Sequence, residues 1–195
     1  MLKTAKINNQ KLTTRKRLSL LIIQEINMPI EEHLNKIKQG VNIWNQWRAD
    51  NPKTVPDLTK ADIRGCKLQK VNFSNTNLKE AKLQYSNLTE ATLENASLNR
   101  AKLLEANLQS AKLKGANLSG AGLLEANLQF TDFENAKLEE AQFNEGTIFN
   151  QTNLKGAQLK GATGLTTNQI DLSRTDSKTQ LPDYLEEEDD FLLQM

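Results

Sequence analysis

A large apolar residue falls at every fifth position through the middle of the chain, nineteen times in succession. The series is Leu58, Ile63, Leu68, Phe73, Leu78, Leu83, Leu88, Leu93, Leu98, Leu103, Leu108, Leu113, Leu118, Leu123, Leu128, Phe133, Leu138, Phe143 and Ile148. An α-helix repeats every 3.6 residues and a β-strand every 2, so neither can bury all these side chains on one face. In a helix they would spiral around the surface, because each step of five residues advances about 500°. The period therefore excludes an ordinary amphipathic helix or strand as the repeating unit.

A small residue lies two positions before nearly every member of this series. These residues are Ala61, Cys66, Ala81, Ser86, Ala91, Ala96, Ala101, Ala106, Ala111, Ala116, Ala121, Ala126, Ala136, Ala141 and Gly146. If the chain turns a corner every five residues, both sets point inward, and a narrow interior has room for only one large side chain per side. The pattern predicts a regularly turning solenoid whose coils stack at the β-sheet spacing of about 4.8 Å. In such a solenoid we expect Cys66 to be a packed interior residue rather than a nucleophile.

The other positions of each five-residue unit are polar, as outward-facing sites should be. The last position is often glycine or asparagine, which tolerate the positive φ of tight turns. Examples are Gly65, Asn75, Asn95, Gly115, Gly120 and Asn135. The period slips by one residue after Gln151 and resumes at Leu154 and Leu159. Counting in fives up to that slip places Ile148 inside and Phe149 outside.

Several units resemble the A-(D/N)-L-x-x signature of the pentapeptide-repeat family. The matching stretches are Ala-Asp-Ile-Arg-Gly at 61–65, Ala-Asn-Leu-Gln-Ser at 106–110 and Ala-Asn-Leu-Ser-Gly at 116–120. The resemblance covers residues 56–165. It implies an all-β solenoid, a right-handed quadrilateral β-helix with four repeats per coil and about five coils. It also implies one alternative function, because some family members imitate DNA to bind gyrase.

Residues 29–55 are predicted to form a capping helix and a linker in front of the repeats. Pro29 suits the first position of a helix over residues 29–50. The apolar residues of this helix share one face at three- and four-residue spacing, namely Ile30, Leu34, Ile37, Val41, Trp44 and Trp47. We expect Trp44 and Trp47 to plug the first coil rather than to form an aromatic ligand site.

His33, the only histidine, lies off this apolar face, so we expect a solvated or capping role for it rather than a catalytic one. Residues 39–52 resemble the N-terminal cap of cyanobacterial pentapeptide-repeat proteins, in which the chain often begins just before this helix. By that resemblance Met28 is a candidate start of the native chain. Residues 1–27 would then be an extension of it. Residues 1–28 as a whole are predicted to be a basic N-terminal segment, which we expect to be disordered.

Residues 166–195 are predicted to form a C-terminal cap that is followed by an acidic tail. Thr166 and Gln169 have the spacing of a capping box, which predicts a short helix directly after the solenoid. The tail carries five consecutive acids at residues 186–190, and we expect it to be disordered.

The net charge of +1 gives no overall attraction to nucleic acid or to an acidic membrane. Residues 1–19 carry six bases and no acid, a block that is typical of a solvated tail. The single cysteine excludes an internal disulfide and fits a reducing compartment, so we expect a cytoplasmic protein. The apolar residues 18–23 are far fewer than the roughly 20 that span a bilayer. These residues follow basic ones, as the apolar part of a signal peptide does. Export or a lumenal location is therefore the alternative to the cytoplasm.

Residues twenty apart lie above one another if each coil has four repeats. One outer column then alternates in sign: Lys60, Glu80, Arg100, Gly120, Glu140. A second column, Asn87, Asn107 and Asn127, could share amide hydrogen bonds between coils.

One face breaks the mixed pattern, because exposed apolar residues adjoin stacked like charges, which cost stability. If a partner binds the rod, its candidate residues are Tyr85, Leu104, Glu105, Leu124, Glu125, Glu145, Phe130 and Phe149. The alternative is ordinary variation of a solvated surface.

Three classes of function can be compared on this inventory. An enzyme is not expected, because one histidine and one cysteine stand without partners and no phosphate-binding or metal-binding motif occurs. We accordingly expect no cofactor, no metal and no small-molecule substrate. A DNA mimic needs an extended acidic surface, but residues 56–165 carry thirteen bases and twelve acids. Nucleic-acid binding has only the basic N-terminus in its favour.

A non-catalytic scaffold is the remaining class, a rigid rod that presents side-chain ladders to a protein partner the sequence does not name. A monomer and an end-to-end or face-to-face homodimer are both open.

Overall fold

The computed structural model describes residues 31–185, so the predicted basic extension and the acidic run at 186–190 lie outside it. From Asp57–Asn77 to Gly122–Gln142, each repeat contributes one residue to a parallel β-bridge with the residue twenty positions further on. These single-residue bridges replace long strands, because the chain turns before a second pair can form. One side of the solenoid is a ladder of seven residues: Asp57, Asn77, Ser97, Asn117, Lys137, Gln158 and Gln180.

Each corner of the solenoid is a tight turn closed by a backbone hydrogen bond. The Ala106 N–H donates to the Leu103 carbonyl at 3.0 Å, and φ of Glu105 between them is +53°. This is the geometry of a type II turn, whose third residue requires a positive φ. All six glycine and asparagine positions that the sequence singled out have a positive φ. The turns thus form where the sequence predicts them.

The interior confirms the inward series from Leu58 to Phe143, all of whose members are buried. The small residues two positions earlier are buried beside them, apart from Cys66 and Gly146. Cys66 is half-buried against the core, and burial raises the pKa of its thiol. The solenoid also continues past residue 165, because Arg174 and Gln180 still bridge to the preceding coil. The five predicted coils therefore run on into a further, less regular one.

The N-terminal cap consists of two helices rather than the single one predicted over residues 29–50. α1 occupies residues 31–38 of the described chain, and α2 is Val41–Asp50. Gly40 separates them at a φ of 112°, which no residue inside a helix adopts. The predicted plug is confirmed for Trp44, which is fully buried. Its indole Nε1 donates to the Asn72 carbonyl at 2.7 Å, and its ring meets Phe73 edge-on.

His33 is part of this plug, so the expectation of a solvated side chain is wrong and that of a capping role is correct. Its ring is only 5% exposed and lies 5.0 Å from the ring of Trp47. Its Nδ1 accepts a hydrogen bond from the Asp57 N–H at 3.1 Å. His33 thus satisfies a donor at the open edge of the first coil, which would otherwise be left unpaired.

The C-terminal cap begins with the predicted short helix, α3, Thr167–Asp171. The predicted capping box between Thr166 and Gln169 is present in both directions. Gln169 is buried, and its Nε2 donates to the carbonyls of Asn144 at 2.8 Å and Thr147 at 2.9 Å. Within residues 31–185 no helix is long and apolar enough to cross a membrane.

Candidate functional site

Most of the predicted face residues occupy one corner column of the solenoid. The Tyr85 N–H donates to the Leu104 carbonyl at 2.9 Å, and the Glu105 N–H donates to the Leu124 carbonyl at 3.0 Å. These bonds place Tyr85, Glu105 and Glu125 above one another at the positive-φ position of successive turns. The three side chains are exposed, whereas Leu104 and Leu124 beside them are half-buried. The structure therefore confirms the predicted stacking of this column.

One side of the solenoid extends from this corner to the next, and we call it the acidic face. It comprises residues 84–90, 104–110, 124–130 and 144–151. These four stretches, in coils two to five, hold no lysine or arginine and four glutamates, namely Glu90, Glu105, Glu125 and Glu145. The first coil of the same side, residues 64–70, carries Arg64, Lys67 and Lys70. Sharing one sign, the stacked Glu105 and Glu125 cannot form the ion pairs that link coils elsewhere.

Columns outside this corner pair opposite charges between coils. Lys60 lies 3.7 Å from Glu80 in the column predicted to alternate. Lys114 Nζ lies 2.8 Å from Glu134 Oε1, and the hydrogen bond that Lys114 donates to that carboxylate raises the pKa of Lys114. Lys70, in the first coil of the same side, lies 3.4 Å from Glu90 at the far corner of the acidic face, so a base balances this glutamate.

Exposed apolar side chains accompany the glutamates on the acidic face. Tyr85 is 56% exposed, Phe130 49% and Ile148 48%. Leu172 is also exposed and lies one coil further on, where its carbonyl accepts the Gln151 N–H at 2.8 Å. Large apolar groups gain nothing from exposure to water, so a face that combines them with one sign of charge has the chemistry of a protein contact.

Phe149 is not part of this surface, and its predicted outward orientation is wrong. It is only 2% exposed, and its ring packs against Phe143 at 5.4 Å. The extra residue enters earlier than predicted, because Gly122 bridges to Gln142 with the usual spacing, whereas Asn127 bridges to Ile148 one residue late. Ile148 is accordingly outside. Counting back in fives from Leu154 gives Phe149, so the sequence held a signal for the correct placement.

The inserted residue changes the corner that contains Glu145. The Thr147 N–H donates to the Asn144 carbonyl at 3.0 Å, which closes a turn over residues 144–147. The Asn144 side-chain oxygen accepts the Glu125 N–H at 2.9 Å. Glu145 is exposed on this turn, so it remains on the acidic face although it leaves the regular column.

The asparagine column in the middle of the acidic face does not form the inter-coil ladder that its spacing predicts. The side-chain oxygen of Asn107 accepts the Gln109 N–H at 3.0 Å, within its own turn. Asn87 and Asn127 make the same bond to Thr89 and Gln129. The side-chain oxygens of this column thus bond within their own turns rather than between coils.

A second surface feature is an open groove of about 470 Å³ near the opposite side. Its lining residues are Lys79, Asn99, Arg100, Ser119, Gly120 and Glu140. The charges have both signs, and the lining contains no histidine or cysteine. Within residues 31–185, no group of three or more His, Cys, Asp or Glu side chains is placed to hold a metal ion. At the groove the Ser119 hydroxyl lies 3.1 Å from Glu139 Oε2.

Comparison with known proteins places this fold among repeat proteins. A family model described as pentapeptide repeats matches in eight copies, over residues 57–95, 86–123 and 123–163. No curated protein matches the chain.

Two solved structures resemble the chain in both sequence and fold. HetL, a pentapeptide repeat protein involved in heterocyst differentiation regulation from the cyanobacterium Nostoc sp. strain PCC 7120, is 30% identical with a TM-score of 0.55. The match covers 64% of this chain and 56% of HetL, so the chain spans little more than half of that relative. A pentapeptide repeat protein from the Arabidopsis thaliana thylakoid lumen is 32% identical with a TM-score of 0.53. That match covers 55% of this chain and 73% of the plant protein.

Proposed function

The chain belongs to the pentapeptide-repeat family, whose fold is a right-handed quadrilateral β-helix, and from this premise we propose that it is a non-catalytic rod that binds a protein partner through its acidic face. The observation that carries the proposal is the single sign of charge on that face over coils two to five, where it holds four glutamates and no base. The partner surface that fits is basic and apolar.

The fold itself does not require this arrangement. A stacked column is stabilised when charges alternate between coils, and Lys114 with Glu134 shows that the coil spacing permits a direct pair. Stacking Glu105 on Glu125 forgoes that stabilisation and adds repulsion. A basic partner would remove the repulsion, so the cost in the free rod is recovered on binding.

The acidic face is also preorganised. Backbone N–H groups along it donate to carbonyls of the neighbouring coil, as Leu88 does to Asn107 at 2.7 Å and Leu108 to Asn127 at 2.8 Å. Its corners are fixed by turns, so little backbone order has to be gained when a partner binds. Lower ordering cost means that more of the contact energy appears as affinity.

Charge reversal on one face tests the proposal. The variant combines Glu105→Lys, Glu125→Lys and Glu145→Lys, and lysine fits the turn position because Lys60 and Lys70 already occupy it at φ near 60°. Proximity labelling in the native host is expected to lose a specific set of neighbours by about tenfold or more.

The matched control carries the same change of charge on the opposite side, through Glu94→Lys, Glu139→Lys and Glu140→Lys. It is expected to keep those neighbours. If both variants label the same proteins as the parent, the acidic face is not the binding surface and the proposal fails.

Imitation of DNA is a competing role that this surface supports less well. A DNA mimic presents acids along an extended surface, whereas the side opposite the acidic face mixes four bases with five acids over residues 74–80, 94–100, 114–120 and 134–140. We expect gyrase supercoiling to be unchanged at micromolar concentrations of the protein. Inhibition or protection of gyrase that is lost in the acidic-face variant would favour the mimic instead.

A further inference from the structure

We propose that the acidic face is covered by a segment of the same chain, residues 1–27, which docks on it in cis. The inference rests on the proposed function, because it uses the same face. The segment has six bases before its first acid, Glu25. They are Lys3, Lys6, Lys11, Arg15, Lys16 and Arg17. Apolar residues 18–23 follow directly, so the segment joins the two properties that the acidic face calls for.

Charge selects this face over the others. Over coils two to five the acidic face has four glutamates and no lysine or arginine of its own, so the charged side chains of these coils attract the segment. On the opposite side, with four bases and five acids, attraction and repulsion nearly cancel. In the first coil of the same side Arg64, Lys67 and Lys70 repel the bases of the segment, so the attraction lies in coils two to five, where this side has no base.

Apolar contacts complement the charges. Tyr85 and Phe130 lie at its two corners and Ile148 at its centre, each about half-exposed. Leu104 and Leu124 are half-buried between the glutamates. Residues 18–23 supply three leucines and two isoleucines, whose burial against these side chains removes apolar surface from water on both partners.

The segment is long enough to reach. The described chain starts at residue 31. Two residues later, His33 accepts a hydrogen bond from the Asp57 N–H in the first coil. Tyr85, at the near end of the acidic face, is in the second coil, and Glu145 is three coil spacings further, about 15 Å. Residues 18–30 extend up to about 43 Å, which exceeds the distance along the face. Tethering also raises the local concentration of the segment to roughly the millimolar range, so weak contacts suffice.

Covering the face in this way would regulate the rod. The segment shields exposed aromatic side chains and balances the glutamate column while no partner is bound. A partner then has to compete with it, so that only a tighter ligand gains access.

Photo-crosslinking of the full chain tests the docking directly. Tyr85→benzoylphenylalanine is irradiated, and the cross-linked peptides are identified by mass spectrometry. Cross-links to residues 1–27 are expected. Glu80→benzoylphenylalanine, outside the acidic face, is the control and is expected to give none to that segment. Mixing ¹⁵N-labelled and unlabelled chains distinguishes docking in cis, which gives only like-labelled pairs, from docking of a second copy.

A charge swap separates electrostatic docking from mere proximity. The full chain with Lys11→Glu, Arg15→Glu, Lys16→Glu and Arg17→Glu is expected to lose about tenfold in cross-link yield. Adding Glu105→Lys, Glu125→Lys and Glu145→Lys to that variant is expected to restore the yield, because attraction returns with the signs exchanged.

Four results would each overturn the inference: no cross-link to residues 1–27, pairs of mixed label, a yield unaffected by reversal of the four bases, or a native protein whose mass begins at Met28. None of these bears on the proposed function, which the proximity labelling of the acidic-face variant decides on its own. Conversely, cis cross-links can form while the proximity-labelled neighbours are the same for the parent and the acidic-face variant. In that case the docking would stand and the proposed function would fail.

Discussion

The acidic face and the side opposite it share one backbone and one core but carry different surfaces. Both consist of turns with a positive φ and of inward leucines that are fully buried, such as Leu108 and Leu118. They differ only at outward positions, where one has four acids and no base and the other has five acids and four bases. The solenoid therefore fixes its interior strictly and leaves the outside free to vary. A single-sign face is a property that folding does not demand.

The largest effect is expected where an outward and an inward position adjoin, at Ile148 and Phe149. Phe149→Ala removes a buried ring and should lower the free energy of unfolding by about 3–5 kcal/mol. Ile148→Ala, at the neighbouring exposed position, should change it by only about 0.5 kcal/mol. Urea denaturation of the two variants measures both. Equal losses would contradict the placement of the inserted residue before Phe149.

Truncation of the inward leucines tests whether the two faces are equivalent inside. Leu108→Ala on the acidic face and Leu118→Ala on the opposite side should each cost about 2–5 kcal/mol. Both side chains are at most 1% exposed, so the two losses should agree within the scatter for equivalent sites. Thermal or urea unfolding provides the comparison. A much smaller loss at Leu108 would mean that the acidic face is also special in its interior.

Single charge reversals should distinguish the two surfaces by a smaller amount. Glu125→Lys places a base next to Glu105 in the column and is expected to stabilise the rod slightly. Glu134→Lys removes the pair with Lys114 and stacks like charges, so it should destabilise. Each effect should remain within about 1 kcal/mol, because all these groups are exposed. Raising the salt concentration should shrink both effects, and opposite signs for the two variants are the outcome to check.

The smallest expected effect is the loss of stability at low pH, when a paired carboxylate away from the acidic face becomes protonated. The hydrogen bond from the Arg64 guanidinium lowers the pKa of Asp62 to about 2. A depressed pKa contributes stability above the unfolded value, and that contribution is lost as pH falls from about 4 towards 2. Titration of the Asp62 carboxyl by NMR should show this midpoint. Arg64→Gln should move the midpoint upward, and an unchanged midpoint would contradict the pairing.

Much of the architecture was predictable because it is local. The five-residue period identifies the inward series, and the last position of each unit marks the turns. Trp44 predicted the plug over the first coil, and the spacing of Thr166 and Gln169 predicted the short helix. The stacked column of Tyr85, Glu105 and Glu125 followed from spacing alone, since four repeats per coil set residues twenty apart above one another.

Other features depend on contacts between distant parts of the chain. The orientation of Phe149 depends on where the extra residue is inserted, and that corner is held by Gln169, more than twenty residues further along. His33 is buried because an unpaired N–H at Asp57 needs an acceptor. Gly40 divides the cap so that α1 and α2 can both lie over the first coil.

The sequence by itself determined which side chains leave water together, because the period assigns inside and outside one unit at a time. Only the tertiary structure decided where the register shifts, how the open ends are closed and which apolar groups stay exposed beside the glutamates. These depend on hydrogen bonds between coils and caps, and such bonds join residues that no local pattern connects.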